Sequence, residues 1–258
     1  MSTLAHYAAL SRRSITTTAR QPTSIVPSML FPLVFLAMSS AALNRSINLP
    51  GFPPVDSFLQ FVVGTTIIQG ALFTSIAAGA AMGTDIEGGF FERLIASPVS
   101  RTSLLVGRVA GAATFGFLQA WLYFGVTSIF GLEVRGGILG MFLVSIVAAT
   151  VAAAFGSISV MVALRTGSTE AVQGSFPLLF VFLLVSSAFF PRNLMSGWFQ
   201  DVATINPLSH LIEGVRGLVI DSASATHFLK AEAIAGAIFL VGVTFALLAL
   251  RVRLASGD

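Results

Sequence analysis

Six long apolar stretches, separated by polar turns, constrain the fold of this 258-residue chain more than any other feature. A helix needs about 20 apolar residues to cross the hydrocarbon core of a bilayer, so each stretch predicts one span. The predicted spans are 25–43, 58–82, 103–130, 138–164, 174–190 and 231–250. They predict an all-α membrane protein with about six transmembrane helices, in a single transmembrane domain over residues 1–258.

The composition excludes a soluble globular domain. Apolar residues make up 55% of the chain and charged residues only 10%, whereas ordinary soluble domains carry about 25% charged residues. Such a chain cannot cover a water-facing surface with polar groups, so much of its exterior must face the lipid bilayer. There is no cysteine, and the three histidines lack the spacing of metal ligands. No nucleic-acid partner is expected, because topology explains the arginines.

The distribution of basic residues predicts the orientation of the spans. Six spans place both termini on one side, and basic residues favour the cytoplasmic side. With cytoplasmic termini, that side holds Arg12, Arg13, Arg20, Arg93, Arg101, Arg108, Arg165, Arg251 and Arg253. The other side holds Arg45, Arg135, Arg192, Arg216 and Lys230. A multi-pass protein of the cell membrane with both termini in the cytoplasm is therefore predicted.

The N-terminal residues 1–24 are polar and basic, but their apolar residues recur at roughly helical spacing. Two interpretations stay open for them. They form either an amphipathic helix on the cytoplasmic membrane surface or a disordered basic tail.

Residues 84–101 form the only charge-dense segment that lies between two spans. Ile86, Phe90 and Leu94 fall on one helical stripe, and charged residues occupy the remaining surface. The net acidity of the segment disfavours binding to the negative cytoplasmic leaflet. The pattern therefore predicts an amphipathic helix that inserts apolar side chains into a groove on a cytoplasmic partner protein.

Residues 191–230 form a connection that is too long to lack structure of its own. The sequence favours two short helices with a break at Asn206-Pro207. Trp198 and Phe199 suit the membrane interface. A re-entrant or lid-like helix pair on the external side and a loop that serves only packing remain equally open.

The predicted spans carry almost no ionisable groups, and their interior polar residues are neutral, which bears on the energy source. They are Thr65, Thr66, Gln69, Thr74, Gln119 and Thr127. Ion-coupled carriers usually hold carboxylates near the bilayer midplane, so this class is disfavoured. The only lysine, Lys230, has no phosphate-binding loop around it. The chain is therefore not expected to be an enzyme or to bind a cofactor or metal, and its energy is expected to come from a partner.

At residues 84–101 and 191–216 the sequence resembles the permease subunit of ABC-2 type transporters, especially the daunorubicin-resistance and nodulation-factor export branch. The matching residues are Asp85-x-Glu-Gly-Gly-Phe-Phe-Glu92-Arg93-Leu94, Ala96-Ser97-Pro98-Val-Ser-Arg101, Pro191-Arg-Asn-Leu-Met195, Asn206-Pro207-Leu208 and Arg216.

This resemblance implies a membrane subunit that pairs with a second permease copy or a homologous permease and with two ATP-binding cassette subunits. ATP and Mg would bind to those partners. Residues 1–24 would be an interface helix, 84–101 the coupling helix between spans two and three, and 191–230 the re-entrant external segment. The implied ATPase-coupling residues are Asp85, Glu87, Phe90, Phe91, Glu92, Arg93 and Leu94. The implied residues of the external segment are Pro191, Trp198, Asn206, Pro207 and Arg216.

The predicted function is that of the membrane permease of an ATP-driven exporter. Substrate would meet the inward faces of spans one, two and five, at Phe58, Thr65, Gln69, Phe176 and Phe180. An aromatic, neutral path suits a lipophilic or amphipathic drug, antibiotic or lipid. Two alternatives remain open: an exporter of a lipid-linked glycan or polysaccharide precursor, and a scaffold or sensor subunit that transports nothing.

Overall fold

A computed structural model describes residues 9–16, 22–95 and 101–256, which form helices joined by turns, with no strand among them. The α-helices are α1 (9–16), α2 (Pro22–Leu43), α3 (Phe58–Glu87), α4 (Phe90–Ile95), α5 (Arg101–Ile129), α6 (Gly137–Thr166), α7 (Thr169–Gly174), α8 (Phe176–Leu184), α9 (Trp198–Ile205), α10 (Pro207–Ile220) and α11 (Ala225–Ser256). Two short 3-10 helices cover Asn44–Asn48 and Arg192–Leu194.

Among the described residues, five helices are long and apolar enough to cross a membrane, namely α2, α3, α5, α6 and α11. They correspond to five of the predicted spans, and the all-α membrane fold class is confirmed. The predicted fifth span, 174–190, is shorter than expected. The apolar segment Thr169–Leu184 is divided into α7 and α8. The division falls at Ser175, just before Pro177, which suits the first turn of a new helix.

The centre of the bundle consists of α3 and α6, and α6 packs against α3, α5 and α11. Small residues allow these helices to approach closely. A Cβ added to Gly79 of α3 would lie 2.5 Å from Ser159 of α6, and one added to Gly242 of α11 would lie 2.2 Å from Ser157. The spacing Gly79–Gly83 is thus used for packing within the chain.

The spacing Gly107–Gly111 has the same role at the start of α5. Added Cβ atoms at these glycines would lie 2.9 Å from Leu10 and 2.4 Å from Ser14, both in α1. The described part of the N-terminal segment is therefore helical and packs on α5. The rest of the predicted interface helix, residues 1–8 and 17–21, lies outside the described residues.

The bundle has two ends that carry different polar contacts. The coupling end, as we call it, comprises α1, the last turn of α3, α4, the start of α5, α7 and the last turns of α11. The opposite end comprises the turns 44–57 and 130–137 with the segment 191–224. There Arg135 contacts Asp56 at 3.0 Å, and Gln60 Nε2 donates to the Glu133 carbonyl at 2.8 Å.

Candidate functional site

The segment 84–95 at the coupling end consists of two helices rather than one. Helix α3 continues through Glu87, Gly88 caps it, and Gly89 adopts a φ of +65° before α4 begins at Phe90. A positive φ favours glycine, so the pair Gly88-Gly89 is the physical cause of the break. The predicted continuous stripe is therefore interrupted, and the buried apolar residues of the segment are Ile86 and Phe91. Residues 96–100 lie outside the described residues.

Asp85 joins three elements at this end. Its side chain is only 18% exposed and forms ion pairs with Arg13 of α1, at 3.4 Å, and with Arg108 of α5. Arg108 is 7% exposed and also donates to the Ala81 carbonyl at 3.2 Å. The Arg13 guanidinium also lies over the ring of Phe90, 3.9 Å from its centroid. Because a buried arginine needs a partner in an apolar environment, Asp85 fixes α1 and α5 to the end of α3.

Glu87 contacts the first turn of α7. One carboxylate oxygen accepts the backbone N–H of Thr169 at 2.7 Å, and the other accepts its hydroxyl at 3.0 Å. Glu92 of α4 lies 3.9 Å from Arg253 near the end of α11. Asp85, Glu87 and Glu92 thus connect the segment to α1, α5, α7 and α11.

The outer surface of α4 is the part of this segment that stays open to a partner. Arg93 is exposed, and the apolar residues Phe90 and Leu94 are partly buried. The structure therefore brings all seven sequence-predicted coupling residues to one end of the bundle. Their side chains differ in direction, because Asp85 and Phe91 face the chain itself whereas Arg93 faces outward.

A narrow crevice lies between α3 and α8 and includes three of the five predicted path residues: Gln69, Phe176 and Phe180. Its volume is about 10 Å³, room for about one water molecule. The lining residues are Gln69, Leu72, Phe73, Ile76, Phe176, Leu179, Phe180 and Leu183. Gln69 is 2% exposed, and its Nε2 has no hydrogen-bond partner among the described residues.

Phenylalanine rings surround this crevice. Phe73 lies 4.9 Å from Phe176 between ring centroids, and Phe176 lies 5.8 Å from Phe180. Phe31 of α2 closes the group at 5.5 Å from Phe73. The walls are aromatic and apolar, which suits a neutral aromatic or lipophilic ligand. The unpaired Gln69 amide lies buried beside them.

The other two predicted path residues lie elsewhere. Phe58 is fully buried at the start of α3 and packs on Phe61, 5.5 Å between centroids. Thr65 is also buried, and its hydroxyl donates to the Ala188 carbonyl at 2.8 Å. Neither residue lines the crevice. Both lie near the same stripe of α3 as Gln69, but at a rise of about 1.5 Å per residue Phe58 and Thr65 are displaced along the helix by about 16 and 6 Å.

Arg216 organises the opposite end. Its guanidinium is 6% exposed and donates to the carbonyls of Phe61 at 3.0 Å, Ser187 at 2.9 Å and Ala188 at 3.2 Å. It also lies 3.6 Å from the centroid of the Phe61 ring. A buried arginine in apolar surroundings is costly, so these carbonyls and the ring provide its compensation. Arg216 therefore joins α10 to α3 and to the turn that follows α8.

The remaining predicted residues of the external segment have separate roles. Asn206 caps α10 by accepting the Leu208 N–H at 2.9 Å, and it donates to the Phe182 carbonyl at 2.7 Å. Pro207 is the first residue of α10, where proline is well tolerated. Pro191 begins the 3-10 turn, and Trp198 is 70% exposed. The predicted pair of short helices with a break at Asn206-Pro207 is present as α9 and α10.

Sequence reasoning missed two features inside the spanning helices. The first is a polar network: Gln119 accepts from Thr74 at 2.7 Å and donates to the Tyr123 hydroxyl at 2.5 Å. The second is Glu232, a carboxylate two turns inside α11 that accepts from Thr150 at 3.3 Å. A charged residue within an apolar stretch is itself the signal that could have identified Glu232. Within the described residues, no group of three or more potential metal ligands comes together.

Comparisons with known proteins give one family match and several relatives. Residues 5–220 match the model of the ABC-2 type transporter family. The daunorubicin resistance ABC transporter permease protein DrrB1 of Streptomyces coeruleorubidus is 25% identical over 205 residues, covering 77% of this chain and 69% of the relative. The probable doxorubicin resistance ABC transporter permease protein DrrC of Mycobacterium tuberculosis is 23% identical over 81% of this chain and 75% of the relative. The putative transport permease ycf38 of Porphyra purpurea is 26% identical over 81% of this chain and 72% of the relative.

Proposed function

The chain belongs to the ABC-2 type transporter family, and from that premise we propose that it is the permease subunit of an ATP-driven exporter of lipophilic or amphipathic compounds. The observation that carries the proposal is the acidic segment 84–95 at the coupling end. It is fixed to α1, α5, α7 and α11 and presents the exposed face of α4. Such a segment transmits force from an external protein to the bundle.

ATP hydrolysis belongs to separate subunits in this proposal. The chain has one lysine, and no phosphate-binding loop surrounds it. Two ATP-binding cassette subunits with ATP and Mg would dock on the coupling end of two permease copies, or of this chain and a homologous permease. The coupling end would then be cytoplasmic, as the excess of arginine at that end favours.

The residues of the coupling segment divide into two roles. Phe90, Arg93 and Leu94 would contact the cassette, since Arg93 is exposed and Phe90 and Leu94 are only partly buried. Asp85 and Glu87 would transmit its motion through their contacts within the chain. ATP binding would close the cassettes, carry the coupling segments with them and shift the spanning helices as bodies.

The crevice between α3 and α8 is the proposed start of the substrate path. Phenylalanine walls and the Gln69 amide favour a neutral aromatic or lipophilic group over a glycan, which would require many hydrogen-bonding partners. The relatives named for daunorubicin and doxorubicin resistance support the same substrate class. Movement of α8 away from α3 would widen the crevice to the size of a ligand.

Co-purification tests the proposal. The tagged chain is extracted gently from its native membrane, and the proteins that accompany it are identified by mass spectrometry. We expect a stoichiometric ATP-binding cassette protein to co-purify with the chain. The amount of this protein should fall with Arg93→Glu on α4 and stay unchanged with Arg45→Glu at the opposite end. The two variants are matched because both arginines are exposed. An intact chain that carries no ATPase would contradict the proposal and favour a scaffold or sensor subunit.

A further inference from the structure

Thr169, the first residue of the short helix α7, makes the hydrogen bonds between α7 and the end of α3. Its backbone N–H and hydroxyl both donate to the Glu87 carboxylate, at 2.7 and 3.0 Å. Its hydroxyl also lies 3.3 Å from that of Thr84 and 3.4 Å from the Ala80 carbonyl. Hydrogen bonds to an ionised carboxylate are about twice as strong as neutral ones, so Glu87 provides the strongest of these contacts.

The backbones of α3 and α7 also touch at this point. A Cβ added to Gly83 would lie 2.8 Å from both the backbone nitrogen and the Cα atom of Thr169. The two backbones can lie this close only because Gly83 has no side chain, and they are in direct van der Waals contact. The start of α7 therefore follows the last turn of α3, which belongs to the coupling segment.

The start of helix α8 is held less firmly than its end, where Asn206 donates to the Phe182 carbonyl at 2.7 Å. Within α8, Leu183 is the one buried residue, and Leu178 and Phe182 are 67% and 53% exposed. Few buried contacts leave a helix free to move. Only Ser175 separates α8 from α7, and α8 begins with Phe176, the ring that lines the crevice. The position of Phe176 thus depends on α7, which is held by the Glu87 contacts together with the packing of its buried residue Val172.

We propose that Glu87 is a positioning residue that makes α7 and α8 move as one body with the coupling segment, so that nucleotide-driven motion reaches Phe176 and Phe180 directly. The route runs from Glu87 through Thr169 and α7 to the wall of the substrate crevice. It leaves α3 at its last turn and does not run along the buried part of that helix. This inference rests on the proposed function, and Glu87 is assigned to transmission within the chain and not to cassette docking.

The test compares transport with ATP hydrolysis in proteoliposomes that contain the chain and its co-purified cassette, with doxorubicin as the probe. Glu87→Gln keeps the shape of the side chain but removes its charge and replaces one acceptor oxygen by a donor, so the Thr169 hydroxyl keeps only its longer contacts, with the Ala80 carbonyl at 3.4 Å and the Thr84 hydroxyl at 3.3 Å. We expect doxorubicin moved per ATP to fall roughly tenfold, while cassette binding stays at the wild-type level. Glu170→Gln is the matched control, because Glu170 is the exposed neighbour of Thr169.

A crosslink gives the decisive second measurement, since the chain has no cysteine of its own. The double variant Glu87→Cys, Thr169→Cys is treated with a short bis-methanethiosulfonate reagent, and crosslinking is verified by mass spectrometry. If α7 moves with the coupling segment, the uncrosslinked variant loses coupling and the crosslinked one regains it. A crosslinked protein without transport would show that the two residues must separate, and would overturn the inference.

Further outcomes separate this inference from the proposed function. Loss of cassette binding in Glu87→Gln would place the carboxylate in the docking surface and overturn the positioning role. If the wild-type complex transports doxorubicin and Glu87→Gln moves the same amount per ATP, the positioning role is refuted. The assignment of the chain as a permease would still stand. A wild-type complex without ATP-dependent transport of doxorubicin would count against the proposed function itself.

Discussion

Replacement of Arg216 by methionine is expected to destabilise the protein strongly, because this guanidinium joins three parts of the chain. The change removes hydrogen bonds to the carbonyls of Phe61, Ser187 and Ala188 and the contact with the Phe61 ring. Hydrogen bonds from a charged donor are worth about 1.5–3 kcal/mol each, and a desolvated cation–π contact about 2 kcal/mol. Removal of the buried charge returns several kcal/mol of desolvation cost, so the sum of these contacts overstates the effect.

The net effect follows from the acceptors that remain. Phe61 lies inside α3, so its oxygen keeps a helical amide donor, and the Ala188 oxygen keeps the Thr65 hydroxyl. The Ser187 oxygen loses its guanidinium donor. One buried carbonyl without a donor, together with the lost packing on the ring, gives a destabilisation of about 3 kcal/mol. For a chain of this size that corresponds to a fall in melting temperature of about 6–12 °C.

The assay is thermal unfolding of the purified protein in detergent, followed by size-exclusion fluorescence. Arg135→Met is the matched control, because Arg135 also lies at the opposite end but is 40% exposed, in an ion pair with the 62% exposed Asp56. Exposed pairs are worth about 0–1 kcal/mol, so we expect a fall below about 4 °C. Arg216→Lys should lie between the two, since an ammonium keeps the charge without the planar fork. Equal melting temperatures for Arg216→Met and Arg135→Met would refute the reasoning.

Three further predictions follow from the packing and polar contacts. Gln69→Leu removes a buried amide without a donor-side partner, so the melting temperature should stay equal or rise while doxorubicin transport falls; a large loss of stability would contradict the crevice geometry. Gly79→Ala should cost about 1–3 kcal/mol in unfolding experiments because another helix lies against it, whereas Gly125→Ala, in open space, should be neutral, and equal costs would refute the close approach. Asp85→Asn should cost about 3–5 kcal/mol because it leaves Arg108 buried without a counter-charge; adding Arg108→Met should recover part of that loss in a double-mutant cycle, and strictly additive effects would argue against the pair.

Much of the fold could be predicted because apolar length alone determines where a chain crosses a membrane. The helices α3 and α6 begin within one residue of the predicted spans, at Phe58 and Gly137. The fifth span was the exception. Its apolar residues continue to Phe190, but helix α8 ends at Leu184 and the chain turns there. The side chain of Asn206 stabilises this turn by donating to the carbonyls of Phe182 and Val185. Asn206 lies 21 residues beyond Val185, so the local sequence of the fifth span does not indicate this hydrogen bond.

The candidate sites were predicted less completely. The family resemblance placed Asp85 and Glu87 in the coupling segment, but their partners come from distant parts of the chain, 72 residues away for Arg13 and 82 for Thr169. The break at Gly88-Gly89 could have been read from the glycines themselves. The rotation of α3 against α8 determines which residues of α3 face the crevice. The sequence alone does not specify that rotation.

ATP-dependent transport is the measurement that tests the central claim most directly. The chain and its co-purified cassette are reconstituted in proteoliposomes, and movement of doxorubicin is followed by fluorescence with ATP and with a non-hydrolysable analogue. We predict accumulation with ATP that stops with the analogue and is abolished when the coupling face is altered by Arg93→Glu. An intact, ATP-hydrolysing complex that moves neither doxorubicin nor other lipophilic compounds would contradict the assignment of this chain as an export permease.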